Sequence, residues 1–158
     1  MFRDLKSLLL VPGLLLAAGC GESQPEPESG EMPGMAEMPA GAQMVHITQP
    51  QNGATVTGPD VTVTLQAMGL RIVEAGVFEP GTGHHHIFVN TDVTPMGDVI
   101  PAGQPGITHL GLAQTEHVLE GLAPGEYRLI AVVGDGAHIS LDPPVHDTVV
   151  FTVVPPSE

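Results

Sequence analysis

Leu122-Ala123-Pro124-Gly125-Glu126-Tyr127, followed by Arg128-Leu129-Ile130-Ala131-Val132-Val133, is the stretch that decides the fold. A hydrophobic residue ends one strand, Pro-Gly makes a turn, and an aromatic residue opens a run with Leu129, Ala131 and Val133 on one side. Alternation with period two marks a half-buried strand. Immunoglobulin-like domains often turn from strand E to strand F in this way, so Tyr127 reads as a corner tyrosine whose hydroxyl bonds back to nearby backbone. An ordinary hairpin would also use Pro-Gly; the tyrosine at the strand opening favours the immunoglobulin-like reading.

Working outward, the same period recurs in Val61 to Leu65, in His84 to Val89 and in Thr148 to Val154. Val45 to Thr48 and Thr115 to Leu119 are further short strands, and Pro50-Gln51-Asn52-Gly53 reads as a turn. Twenty Gly and sixteen Pro punctuate the chain, and no stretch of ten residues keeps a helical period. The expectation is an all-β domain over residues 44–158, an immunoglobulin-like antiparallel β-sandwich.

The N-terminus reads differently. Arg3 and Lys6 precede an apolar run from Leu8 to Ala18, which is too short to span a bilayer and suits a signal peptide. It ends in Leu16-Ala17-Ala18-Gly19-Cys20, which resembles the bacterial lipobox. Residues 1–19 are therefore expected to be a lipoprotein signal peptide, with Cys20 carrying lipid. The membrane is then a partner through that anchor, and the protein is exported to the cell envelope. Gly21 after the Cys resembles the pattern sorted to the outer membrane, facing the periplasm, in a Gram-negative cell. Cys20 is the sole Cys, so no internal disulfide forms and Cys–His nucleophilic chemistry is closed off.

Residues 20–43 hold five Glu, several Pro and almost no branched apolar side chain, the composition of a disordered tether. Met32, Met35 and Met38 recur every third residue, the repeat of a polyproline II helix, so their thioethers line one face. Thioethers favour Cu(I). A low-complexity linker with Met in place of Ala or Ser is the plainer reading of the same residues.

The formal net charge is −14, from 4 basic and 18 acidic residues. Such a surface repels phosphate backbones, which argues against nucleic acid as a partner, and anionic lipid is repelled for the same reason. Trp is absent and Tyr occurs once, so a stacking platform for sugars or bases is hard to build. Eight His and seven Met in 158 residues direct attention to metals instead.

Gly81-Thr82-Gly83-His84-His85-His86 opens the third of these strands. Alternation places His84 and His86 on one face and His85 on the other. If this strand is C and Tyr127 to Val133 is F, the start of C lies beside the end of F. Gly134-Asp135-Gly136-Ala137-His138 then brings His138 and Asp135 to the same end of the sandwich. His109 is a possible fourth imidazole, on a loop of undetermined position. His46, His117 and His146 look incidental to that cluster. Imidazole suits Cu(II), Zn(II) and Ni(II). Histidines also pin loops through hydrogen bonds without any metal, and both readings stand at this level. Asp135, Asp92, Glu116 and Asp142 are available to orient the rings.

Taken together, Gly83-His84-His85-His86, Gln114-Thr115-Glu116, Leu122-Ala123-Pro124-Gly125, Gly134-Asp135-Gly136-Ala137-His138 and Asp142-Pro143-Pro144 resemble the bacterial domain-of-unknown-function family 4399. The resemblance runs from about Val45 to Val154. It implies a small exported protein and supplies no activity. By position it carries over His84, His85, His86, His109, Gln114, Glu116, Asp135 and His138. Family members often place a further His just before the Asp-Pro-Pro segment, where this chain has Leu141.

Two function classes follow. One is an envelope lipoprotein that binds a transition metal, copper before zinc, through His84, His86 and His138 with His109 or Asp135, as carrier or buffer. The other is a metal-free module that binds an envelope protein at the membrane surface. An enzyme is less supported: Ser140 lies near His138 without a Gly-x-Ser-x-Gly elbow, and Gly81 to Gly83 lacks the Lys and helix of a phosphate loop.

Overall fold

The computed structural model describes residues 41–156. The signal peptide (1–19), Cys20, and the tether up to residue 40 with Met32, Met35 and Met38 lie outside the described residues. Nine strands and no helix occur among those described. They are β1 (Met44–Gln49), β2 (Thr55–Thr57), β3 (Val61–Met68), β4 (Arg71–Ile72), β5 (Thr82–Val89), β6 (Ile107–Leu110), β7 (Glu116–Leu119), β8 (Gly125–Gly134) and β9 (His146–Val154). The protein is all-β, with two sheets. One has the order β1-β3-β7; the other runs β2-β9-β8-β5-β4, with β6 also paired to β5.

Alternation builds the core. Val61, Val63 and Leu65 of β3 point inward and meet Leu129, Ala131 and Val133 of β8 and Val149, Phe151 and Val153 of β9, all buried in one cluster shared by both sheets. Each of the larger side chains, Val, Leu or Phe, contributes about 1.5–3 kcal/mol on removal from water. Phe88, Ile130 and Val132 project from the opposite face of the larger sheet. There they form a second, smaller cluster with Ile100, from the long segment between β5 and β6. Covered on both faces, β5 is buried from Thr82 to Phe88, as a central strand under two layers must be.

The Pro-Gly turn behaves as the sequence predicts. Tyr127 donates its hydroxyl to the Ala123 carbonyl at 2.9 Å, four residues upstream, and its ring stacks on Phe151 at 5.6 Å. Three short strands were not expected: β2, β4 and β6. Two or three residues are too few to show a period, and β6 lies between Gly106 and Gly111. They also correct the expectation of a wholly antiparallel arrangement. β2 runs parallel to β9 and β4 parallel to β5, because each is a short edge piece laid down as the chain crosses from the three-stranded sheet to the other.

Candidate metal centre

Cross-strand register assembles the site. His84 pairs with Gly134 and His86 with Val132 on β8, while His86 pairs with His109 on β6. Directly paired residues share a face, so His86 and His109 project together on the side of Phe88 and Ile100. His84 follows by the period of two. After β8 the chain turns at Asp135, and an isolated bridge between Gly134 and Ser140 folds residues 135–139 back over that face. The turn brings in His138, which adopts a left-handed backbone with φ of 65°. His is among the few non-glycine residues that visit this region readily.

The four rings all neighbour one another. Ring centroids lie between 4.6 Å, for His109 and His138, and 5.6 Å, for His86 and His138. One nitrogen from each of the four lies within 4.8 Å of the others. Nε2 of His109 and Nε2 of His138 are 3.1 Å apart. Four nitrogens around one ion at about 2.0–2.1 Å would stand about 3.3 Å apart, so this pair already has the bite of two ligands. The group therefore can hold a metal ion.

Two glycines make room for the rings. A Cβ on Gly111 would fall 2.3 Å from His109 Cε1, and one on Gly134 would fall 3.1 Å from His86 Cε1 and 3.2 Å from Ile100 Cδ1. The sequence reading missed both. The available signal was a glycine two residues along the strand from His109, hence on the same face.

His84 and His86 are fully buried, and neither nitrogen of either ring has a hydrogen-bond partner. A buried polar atom left unsatisfied costs about 1–3 kcal/mol. Burial, reinforced by the neighbouring His138 and His109 rings and partly opposed by Asp135, lowers the His84 pKa to about 4. Burial, then His84, His109 and His138, lowers that of His86 to about 3. His109 is also lowered, by burial and then by His138. Three of the four rings, His84, His86 and His109, are thus biased toward neutral imidazole, the protonation state a metal requires.

The remaining candidates fall elsewhere. Asp135 does not join the group: its Oδ1 accepts from the backbone N–H of Ala137 and of Ile139, holding the turn that presents His138. His85 points into the shared core side, where its Nδ1 bonds the Gln114 carbonyl at 2.9 Å and burial lowers its pKa. The Gln114 side chain accepts from the Leu112 N–H instead of reaching a ring. Glu116 is exposed on β7, opposite Thr64, in the other sheet. Asp92 pairs with Arg128. Among the described residues no carboxylate hydrogen-bonds any of the four rings, contrary to the expectation that acidic residues would orient them. His46 pairs with Asp147, His117 lies on β7, and His146 opens β9. Leu141 packs against the shared core. The cluster occupies a sheet face under loops, three of its members on strands, where the sequence had placed it at an end of the sandwich.

Fold and site together define a small all-β domain with a buried four-imidazole centre. The chain belongs to the family described as Domain of unknown function (DUF4399), whose match spans residues 61–154 and so contains all four histidines. No curated protein matches the chain. The crystal structure of an engineered protein aligns over 72% of this chain at 16% identity and a TM-score of 0.40, and this chain spans 20% of that one; a likeness this remote carries no argument.

Proposed function

We propose that this protein is an exported, lipid-anchored metal binder of the cell envelope that holds copper at His84, His86, His109 and His138 as a carrier or buffer. One observation carries the reading: four imidazole donors converge within 4.8 Å, and the two innermost rings have every nitrogen buried and unpartnered. A hydrogen-bond network would have paired those nitrogens; a cation takes one from each ring. The donor set is wholly imidazole, which suits Cu(II), Zn(II) and Ni(II), and affinity order at an N-donor site favours Cu(II), with Zn(II) the alternative. The negative charge of the chain draws cations. Lipidation at Cys20 and Cu(I) collection by Met32, Met35 and Met38 extend the same reading to the N-terminal region. The two sheets, joined by the Tyr127 corner, are read as an immunoglobulin-like sandwich that supplies a rigid platform.

The test is metal content and Cu(II) and Zn(II) titration of the chain produced without a His tag, alongside His86→Ala and His138→Ala. Stoichiometric binding weakened in both variants is the expected result. Binding no tighter than about micromolar (about 8 kcal/mol), or equal in the variants, overturns it and leaves the partner-binding module.

A further inference from the structure

The four ligands are unequal. His84 and His86 lie within the sheet, fully buried, with Ile100 against the His86 side. His109 stands on β6, which pairs only with β5, and His138 on a turn; both are partly exposed. Beside this outer pair stand the three most exposed large apolar side chains among the described residues: Phe78 and Leu112 at 74% and Val99 at 61%. Each is tied to it. Leu112 follows Gly111, which packs on the His109 ring; Phe78 lies against Gly136, two residues before His138; Val99 bridges Ile139. Exposed large apolar side chains on the segments that carry the outer pair suit an interaction surface.

We propose that this edge is the exchange face of the metal centre: the ion passes across His109 and His138 to or from a protein whose donor side chains stand in an apolar surface with a basic fringe, and His84 and His86 hold it longest. The inference rests on the metal-binding reading. Charge sets the fringe. Glu74 and Asp98 are exposed beside the rim, while Arg71 and Arg128 are each engaged, with Glu79 and Asp92. A basic partner is drawn to this face and an anionic one repelled. In each step one entering donor forms a bond to Cu(II) as one Cu–N bond breaks, and the oxidation state does not change. The turn that carries His138 is joined by backbone bonds to Ile100 and Gly76.

The chain is loaded with Cu(II) and its stoichiometry checked. A chain that takes up no metal overturns the metal-binding reading and this proposal with it. Transfer from the loaded chain is then timed to 1,10-phenanthroline, a neutral apolar acceptor, and to EDTA, an anionic hydrophilic one. Rates rise with acceptor concentration, and phenanthroline is favoured by about tenfold or more. His138→Ala still loads and transfers about tenfold faster to both acceptors, having lost one outer bond. Phe78→Ser with Leu112→Ser, at exposed positions outside the centre, slows transfer to phenanthroline and leaves EDTA unchanged. Rates independent of acceptor, a His138→Ala rate equal to the parent, or a rim variant without effect overturns the exchange face while the metal-binding reading stands.

Discussion

Acidification to pH 5 should destabilise the metal-free domain well before its carboxylates titrate. His84 and His86 have folded-state pKa values of about 4 and about 3, against 6.5 in the unfolded chain. Above pH 6.5 both states are neutral and the rings contribute no pH dependence. Between 6.5 and the folded values, the unfolded chain binds protons that the native rings refuse, so stability falls as pH falls. From 6.5 to 5 that is about 1.5 pH units at about 1.4 kcal/mol per unit, or about 2 kcal/mol for each ring and about 4 kcal/mol for both. His85 and His109 shift in the same direction and add to the loss. Against a total of about 5–15 kcal/mol, this lowers the melting temperature by on the order of 10–20 °C. Urea unfolding followed by far-UV circular dichroism at pH 7.5, 6.5, 5.5 and 5.0 measures it; the chain has no Trp to report by fluorescence. Stability that stays flat to pH 5 and drops only below about 4.5, where Asp and Glu titrate, would refute the burial of neutral imidazoles on which the site rests.

Replacing the two inner rings by apolar ones, His84→Leu with His86→Leu, should remove that pH window. It should leave the metal-free domain as stable as the parent or more stable, since unpartnered buried nitrogens are lost with nothing broken; the same urea series checks both. Saturating the parent with Cu(II) or Zn(II) at about 100 times its dissociation constant should add about 2.7 kcal/mol by linkage, read as a rise in melting temperature absent from the double variant. Gly111→Ala places a methyl 2.3 Å from the His109 ring, so the ring must leave. Metal affinity should drop by about tenfold or more while circular dichroism stays unchanged. Tyr127→Phe removes the bond to the Ala123 carbonyl and should cost about 0.5–1.5 kcal/mol in urea with no effect on metal binding.

How much of this was legible in the sequence follows from which contacts are periodic. The long strands β3 and β9 bury one residue in two along most of their length, and alternation reveals them; β5 and the second half of β8 are buried on both faces, and only the alternation of their residue types marked them. It also separates His85 from His84 and His86. The turn at Pro124-Gly125 and the role of Tyr127 depend on residues adjacent in the chain, and these too could be read. His138 could be placed because its turn follows directly on β8, the antiparallel neighbour of β5. What the sequence withheld depends on register between distant strands. His109 belongs to a four-residue strand whose alignment with His86 is set by the whole sheet, so it read as a loop residue of undetermined position. Asp135 looked like a ligand because carboxylates ligate metals. Its neighbours in space show that one carboxyl oxygen, Oδ1, accepts from two N–H groups of the turn.

With Asp135 used in the turn, the donors that converge are four imidazoles. A carboxylate facing the rings favours their protonated forms, which do not bind a metal. Here the acid faces the backbone of the turn and fixes His138 at a φ of 65°. Gly111 and Gly134 clear the space for the rings. The domain thereby keeps two rings buried with no partner of their own, an arrangement that folding alone does not favour. Binding a cation would give one nitrogen of each ring a partner, so the burial of these rings and the proposed function have one physical origin: four imidazoles that bring one nitrogen each within 4.8 Å of the others.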